Sequence, residues 1–174
     1  MSKLILILGG ARAGKSAFAL RLADEQFADG KGCFIATAQA LDTEMAARIA
    51  RHREERSAKW TTVEEPFHID EALLQAAESS VVIVDCLTLF VSNWLLRSEH
   101  ESEQIMQTIV ERLLANVKSQ TVICVSNEVG LGIVPDNLLG RTFRDLLGRV
   151  NQQFAAAADE VYLLVAGLPL QLKP

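Results

Sequence analysis

The architecture of this chain is indicated most clearly by Gly9-Gly10-Ala11-Arg12-Ala13-Gly14-Lys15-Ser16. An apolar run, residues 4–8, precedes this stretch, and an amphipathic run, residues 17–23, follows it. The pattern G-x-x-x-x-G-K-S between a strand and a helix is typical of a phosphate-binding loop, whose glycines let successive backbone N–H groups point inward. In such a loop Lys15 reaches the terminal phosphates and the Ser16 hydroxyl binds Mg²⁺. The competing interpretation is a tight glycine turn without a ligand.

Composition limits the class of protein. The length of 174 residues fits one domain, residues 1–174, and a hydrophobic content of 49% is enough for a substantial core. A net charge of -5 without a basic tract disfavours sequence-independent nucleic-acid binding. No apolar segment reaches the roughly 18 residues that a membrane span needs. Cys33, Cys86 and Cys124 form no C-x-x-C pair, so we expect reduced, buried thiols in a cytoplasmic protein and no zinc site.

Apolar runs alternate with helical patterns along the chain. The runs that predict strands are Leu4–Leu8, Cys33–Ala36, Val81–Val84, Val122–Val125 and Val161–Val165, with Trp60–Val63 as a weaker candidate. Helices are expected near 15–27, 42–56, 68–78, 87–97, 101–118 and 137–158. This alternation predicts an α/β fold: a mostly parallel sheet with helices on both faces and a short C-terminal edge strand within residues 167–172. Ligands of such sheets bind beyond the carboxyl ends of the strands.

Two polar positions follow predicted strands. Asp85 ends the run 81–84, where a carboxylate beside a phosphate loop is the usual second partner for Mg²⁺. Alternatively, Asp85 caps the helix that starts near Leu87. Residues 37–39, Thr-Ala-Gln, follow the second strand and are expected either to contact a nucleotide or to form a plain loop.

The segment 42–56 carries acids at its start and four arginines around His52. One interpretation is a solvated helix face with i,i+4 ion pairs. The other is an arginine-rich cradle for phosphates around an imidazole, which is neutral often enough at physiological pH to attack phosphorus. His68 and His100 have no such setting and are expected at the surface.

A second irregular segment, residues 126–137, follows the strand at 122–125 and combines two glycines and a proline with apolar residues. Loops at strand ends often carry function. Arg141, Arg144 and Arg149 come next and are compatible with an anionic substrate, with a subunit contact or with a solvated helix face.

Along essentially its whole length the chain resembles the bifunctional adenosylcobinamide kinase / adenosylcobinamide-phosphate guanylyltransferases of cobalamin assembly. The phosphate loop is shared by many families, whereas S-N-E-V-G-x-G-I-V-P at 126–135 and R-I-x-x-H at 48–52 are far more specific. Further shared marks are Ile35–Gln39, Trp60–Glu64, Phe143–Asp145, Gly148–Asn151 and Ala156–Val161.

The resemblance implies a RecA-like P-loop NTPase fold, a homo-oligomer (a trimer in the family), Mg²⁺, and ATP and GTP as substrates. It implies phosphoryl transfer to the aminopropanol hydroxyl of adenosylcobinamide, followed by transfer of GMP from GTP through a guanylyl-histidine at His52. We expect Lys15 to be the other catalytic residue, and Ser16 and Asp85 to be the metal ligands. The predicted nucleotide contacts are Gly9, Gly10, Ala11, Arg12, Ala13, Gly14, Lys15, Ser16, Thr37, Ala38, Gln39, Arg53, Glu54, Glu55, Arg56, Glu64 and Asp85.

The chain departs from some relatives in two places. Arg51-His52 stands where some have adjacent histidines, which leaves His52 as the one candidate nucleophile, and Asp85 stands where some have Glu. Two other functions compete with the bifunctional enzyme. A monofunctional small-molecule kinase would need the phosphate loop but not His52. A nucleotide-operated switch lacks support, because the guanine-reading motif N-K-x-D is absent.

Overall fold

The computed structural model describes residues 2–27, 31–40, 43, 45–47, 57–98, 102–117 and 120–174. The strands are β1 (Leu4–Gly9), β2 (Gly32–Ala36), β3 (Trp60–Glu64), β4 (Val81–Asp85), β5 (Thr121–Val125), β6 (Glu160–Val165) and β7 (Leu168–Lys173). The helices are α1 (Lys15–Gln26), α2 (Ile69–Gln75), α3 (Leu87–Arg97), α4 (Ser102–Asn116) and α5 (Leu138–Ala157). Of the helix predicted over 42–56, residues 43 and 45–47 are helical and the others lie outside the described part.

The described strands form one sheet in the order β3-β2-β4-β5-β1-β6-β7. All neighbouring pairs are parallel except β6 and β7, which are antiparallel. The predicted α/β sheet and its C-terminal edge strand are therefore confirmed. Because β1 to β6 run in one direction, the carboxyl ends of β1, β2, β3 and β4 meet at one edge, which we call the carboxyl edge. Gly9, Ala36, Glu64 and Asp85 end those strands.

The sheet is buried on both faces, which explains why its strands read as continuous apolar runs. In β1, Ile5 and Ile7 pack with Phe18 and Leu22 of α1 on one face. Residues of the opposite parity in β1, β4 and β5 pack with α2, α3, α4 and α5 on the other face. The expectation of helices on both faces is thus confirmed, with α1 alone among these five on its side.

An ion pair joins the start of β1 to the start of β6. Lys3 Nζ donates to Glu160 Oε1 at 2.5 Å, and the Tyr162 hydroxyl donates to Glu160 Oε2 at 2.8 Å. The hydrogen bond from Lys3 lowers the pKa of the Glu160 carboxyl below its usual value. A carboxylate with a lowered pKa stabilises the folded state above its unfolded pKa, and this contribution disappears as the pH falls through the folded pKa.

We therefore expect Glu160→Gln to destabilise the protein at neutral pH and to make progressively less difference as the solution is acidified. The measurement is the free energy of unfolding in urea for both proteins, from pH 7 down to about pH 3. Glu78→Gln, which removes an exposed carboxylate, is the matched control. A difference that stayed constant across this pH range would contradict the role given to the ion pair.

Candidate nucleotide site at the carboxyl edge

The phosphate loop follows β1 and leads directly into α1. Gly14, with φ 90°, is the N-cap of α1, and Arg12, with φ 57°, is also left-handed. The Ala13 N–H donates to the Gly10 carbonyl at 3.3 Å, which closes the turn. Lys15 Nζ donates to the same Gly10 carbonyl at 2.6 Å, and Lys15 is only 8% exposed. The ammonium group therefore lies folded over the loop, at the place where a phosphate group needs a cation.

Gly9 is required by close packing as well as by backbone conformation. Its φ is 154°, and a Cβ built on it would lie 2.6 Å from the carbonyl oxygen of Leu164 in β6. Any other residue would push the end of β1 away from β6. The first glycine of the motif thus sets how closely the phosphate loop approaches the sheet.

Two neighbouring segments hold the loop in place. The Gly167 N–H, in the turn between β6 and β7, donates to the Ala13 carbonyl at 3.1 Å. On the other side, the Glu128 N–H, in the segment after β5, donates to the Gly9 carbonyl at 3.1 Å. The loop is therefore shaped by segments more than a hundred residues away in sequence.

Oxygen donors suited to Mg²⁺ occur on two elements of this edge. Ser16 lies half-buried in the first turn of α1, and Asp85 lies half-buried at the end of β4. A hydroxyl and a carboxylate, with phosphate oxygens and water, form the donor set that Mg²⁺ prefers. The alternative role for Asp85 as a helix cap is wrong, because Cys86 is the N-cap of α3. Among the described residues, no three His, Cys, Asp or Glu side chains gather as a metal-binding cluster.

Thr37, for which a nucleotide contact stays a prediction, is held by hydrogen bonds inside the protein. It is 0% exposed, its hydroxyl accepts from the Cys86 N–H at 2.8 Å, and the hydroxyl donates to the Cys86 carbonyl at 2.8 Å. The Thr37 carbonyl accepts in turn from Asn93 Nδ2 at 2.8 Å. Both hydrogen-bonding capacities of the hydroxyl are thus used inside the protein. Thr37 fixes the backbone next to Asp85, where the peptide bond between Asp85 and Cys86 is cis.

The other predicted contacts fall into two groups. Ala38 and Gln39, both half-buried, follow Thr37 at the carboxyl edge, and Glu64 is exposed at the end of β3. These three lie on the same edge as the phosphate loop and stay predictions. His52 and the range Arg53–Arg56, including Glu54 and Glu55, lie outside the described residues. Of the two histidines expected at the surface, His68 is half-buried with its ring against Trp94, and His100 lies outside the described part.

Cys86 is the thiol nearest in sequence to Asp85, and it is unsuited to act as a nucleophile. Burial raises the pKa of its thiol to about 11, and the charge of Asp85 adds to the shift. The thiol therefore stays protonated at neutral pH. Cys33 and Cys124 are free and buried, and burial raises the pKa of both. The expectation of free thiols is confirmed, although Cys86 is only half-buried.

The segment after β5 is anchored to two helices through polar side chains to which the sequence analysis gave no role of their own. The Ser126 hydroxyl donates to Asn151 Oδ1 at 2.6 Å, and Asn151 Nδ2 donates to the Asn127 carbonyl at 3.0 Å. The Asn127 N–H donates to Thr88 Oγ1 at 2.7 Å. A signal existed in the sequence, since polar residues at core-facing positions of apolar helices need buried partners.

The three arginines of α5 have different partners. Arg141 Nη1 donates to the carbonyls of Pro135 and Asp136 at 3.0 and 2.8 Å, so this side chain fastens its own loop. Arg144 pairs with its neighbour Asp145 at 3.0 Å, and Arg149 pairs with Glu103 of α4 at 2.9 Å. Arg144 and Arg149 thus stay near the surface, whereas Arg141 has a local structural role.

No helix in the described ranges combines the length and the apolar character that crossing a bilayer would require.

The fold is similar to two solved structures of low sequence identity. The flagellar accessory protein FlaH from Methanocaldococcus jannaschii matches with a TM-score of 0.53 and 17% identity, over 98% of this chain and 78% of that one. The KaiC-like protein PH0186 from Pyrococcus horikoshii OT3 matches with a TM-score of 0.50 and 16% identity, over 92% and 70%. At this identity the likeness shows a P-loop NTPase-like fold and nothing about activity.

Sequence comparisons identify closer relatives. The Escherichia coli K12 protein named bifunctional adenosylcobalamin biosynthesis protein CobU is 41% identical, over 98% of this chain and 99% of its own length. The Salmonella typhimurium protein of the same name is 42% identical over the same shares, and the CobP protein of Pseudomonas aeruginosa is 44% identical over 97% and 96%. The family model for cobinamide kinase / cobinamide phosphate guanyltransferase matches residues 5–172. The chain, with its phosphate loop and carboxyl-edge carboxylate, therefore belongs to the cobinamide kinase / cobinamide phosphate guanyltransferase family.

Proposed function

We propose that this protein is a bifunctional transferase of cobalamin biosynthesis that uses one nucleotide site for two reactions. In the first, the γ-phosphoryl group of ATP or GTP passes to the aminopropanol hydroxyl of adenosylcobinamide. In the second, GMP passes from GTP to the phosphate just made, and adenosylcobinamide-GDP results. Family membership over nearly the whole chain is the observation that carries this proposal.

In the kinase step the chain positions the triphosphate and neutralises its charge. Backbone N–H groups of the loop and of the first turn of α1 bind the phosphate oxygens. Lys15 would exchange the Gly10 carbonyl, 2.6 Å away, for the terminal phosphates. Ser16 and Asp85 would hold Mg²⁺, which when bound neutralises the charge of the triphosphate. The acceptor oxygen forms a bond to the γ-phosphorus as the bond to the bridging oxygen breaks, and the hydroxyl proton is released.

In the second reaction we assign His52 as the nucleophile, following the resemblance of residues 48–52. An imidazole nitrogen attacks the α-phosphorus of GTP, a P–N bond forms, the bond from the α-phosphorus to the bridging oxygen breaks, and pyrophosphate leaves. A phosphate oxygen of adenosylcobinamide phosphate then attacks the same phosphorus and displaces the histidine. Splitting the transfer into two displacements is the usual advantage of covalent catalysis. We also propose that Ala38, Gln39, Arg53, Arg56 and Glu64 contact the nucleotide, together with Glu54 and Glu55.

The proposal is tested by incubating the protein with adenosylcobinamide, GTP and Mg²⁺ and weighing the products by mass spectrometry. We expect adenosylcobinamide phosphate first, then adenosylcobinamide-GDP, and, with GTP alone, a protein heavier by one GMP. Phosphorylated acceptor without the GDP product would identify a monofunctional kinase. Nucleotide binding without any product would identify a switch.

We further propose that the protein assembles as a homo-oligomer in the cytoplasm, a trimer by the resemblance. The exposed leucines of β7 support self-association, since Leu168, Leu170 and Leu172 are 73%, 58% and 54% exposed on an edge strand. Exposed apolar edges of this kind are usually covered in soluble proteins. A mass of one chain by light scattering would contradict the oligomer.

A further inference from the structure

A second concave region lies between α5 and the segment that follows β5. We call it the α5 groove, and its lining residues are Gly130, Arg144, Asp145, Gly148, Arg149 and Gln152. It is open to solvent and has a volume of about 390 Å³. The assignment made so far for the nucleotide uses none of these residues, so the groove is available for another ligand.

The backbone connects the α5 groove to the phosphate loop. The Glu128 N–H donates to the Gly9 carbonyl at 3.1 Å, and Glu128 Oε1 accepts from the Gly130 N–H at 2.6 Å. Two residues span at most about 7 Å, so Gly130, which lines the groove, stays close to the end of β1. The Asn151 side chain also bonds Ser126 and Asn127 just past β5, which sets the adjacent turns of α5 at the carboxyl edge. The α5 groove therefore begins at the same segment that holds the phosphate loop.

The charges of the groove balance one another. Arg144 pairs with Asp145, and Arg149 pairs with Glu103 at the rim. Each pair contains one positive and one negative side chain, so the two pairs together offer donors and acceptors without an excess of either sign, although Glu103 itself lies outside the lining. The pair between Arg149 and Glu103 is exposed at 58% and 57%, and such pairs contribute only up to about 1 kcal/mol. Arg149 and Glu103 can therefore give up their ion pair and bind a ligand instead.

This pattern suits a neutral ligand with several primary amides better than a free anion. A primary amide has an oxygen that accepts and an NH₂ group that donates twice. Guanidinium groups of the groove would bind the amide oxygen, Asp145 would bind the NH₂ group, and Gln152 can do either. An anion would instead meet the carboxylates of Asp145 and Glu103 next to each arginine.

An apolar rim continues from the groove. Leu131 and Ile133 follow Gly130 in the same loop and are 84% and 95% exposed. Single exposed leucines are common, but two such side chains beside a polar groove present an amphipathic surface. A ligand that matches it has a broad apolar face and an edge that carries amides.

We propose that the α5 groove, with Leu131 and Ile133 at its rim, is the acceptor subsite and holds the amide-bearing edge of the corrinoid. This inference rests on the proposed function, in which the acceptor is adenosylcobinamide, a large ring with amide side chains around its periphery. A volume of about 390 Å³ accommodates some of these side chains and leaves the ring against the apolar rim. The subsite would then present the aminopropanol hydroxyl to the triphosphate.

Gly148 offers a direct test, because a Cβ added there meets no atom within 4 Å. Leucine also favours a helix more than glycine does, so we expect Gly148→Leu to fill the groove without destabilising the folded state. We expect the KM for adenosylcobinamide to rise about tenfold or more, while the KM for GTP and the covalent uptake of GMP in the absence of acceptor stay at wild-type levels. Ala156→Leu, which adds the same side chain at an exposed position of α5 outside the groove, is the control and is expected to behave as wild type.

Each other outcome has a distinct meaning. An unchanged KM for adenosylcobinamide in Gly148→Leu would overturn the subsite. A changed solution mass with equal effects on both substrates would show that the groove is a contact between subunits, which also overturns it. Failure of the proposed function is recognised separately, because the wild-type protein would then yield neither phosphorylated acceptor nor covalent GMP.

Discussion

Replacing Lys15 with alanine is expected to lower both the phosphorylation of adenosylcobinamide and the covalent uptake of GMP by at least about 10²- to 10³-fold. The reason is that, in the proposed function, both reactions use a triphosphate held by the same loop. Lys15 Nζ lies 2.6 Å from the Gly10 carbonyl, within the curl of the loop, and its side chain is largely shielded from water. A cation in such a place stabilises developing phosphate charge far more than one in bulk water does.

The matched control is Arg21→Ala, which removes another positive charge from α1 outside the loop. Arg21 is 58% exposed, and its nearest ion-pair contact, with Glu25, is 4.0 Å long. We expect this variant to retain both activities. The measurement is the rate of each reaction in both variants, determined with labelled ATP and GTP. Loss of phosphorylation alone in Lys15→Ala, with normal uptake of GMP, would mean that the two reactions use separate nucleotide sites.

Replacing His52 with alanine is expected to separate the two activities. Covalent uptake of GMP and formation of adenosylcobinamide-GDP should fall below detection, because no other group is assigned to attack the α-phosphorus. Phosphorylation of adenosylcobinamide should stay close to the wild-type rate, since that step needs the loop, Lys15 and the metal ligands. The measurement follows the label from α-labelled and γ-labelled GTP in parallel.

His100→Ala controls for the loss of a histidine in general and is expected to change neither activity. The bond itself gives a second check, because a phosphorus–nitrogen link to imidazole is lost in acid and kept in alkali. Label from α-labelled GTP that still attached to the His52→Ala protein would reject His52 as the nucleophile. Loss of both activities in that variant would instead indicate that His52 also positions the triphosphate.

Much of the fold was predictable because its signals are local. A strand buried on both faces must be apolar throughout, so β1, β4 and β5 stand out as uninterrupted runs. The phosphate loop was equally visible, because phosphate binding by successive N–H groups needs glycines at set positions within a few residues. The position of Asp85 at the carboxyl edge was predictable for a related reason, since a parallel strand delivers its last residue to the ligand edge.

The polar contacts that support this edge were not predictable in the same way. The Thr37 hydroxyl binds the backbone of Cys86, 49 residues further along, and nothing in the sequence predicted that contact. No role was predicted for Asn93 or Asn151, although each side chain donates a hydrogen bond from a helix to a loop at the carboxyl edge. Arg141 was grouped with Arg144 and Arg149, and only the path of the chain shows that it binds its own loop.

The amino-acid sequence by itself determined the α/β alternation, the phosphate loop and the family, because those depend on residue types at short, regular spacing. The tertiary structure alone decided that Gly9 packs against Leu164, that Thr37 is buried and bonded to Cys86, and that Gly130 joins the phosphate loop to the α5 groove. These features depend on hydrogen bonds and packing between segments far apart in the chain. Such pairings follow from sheet order and register, which no single stretch of sequence specifies.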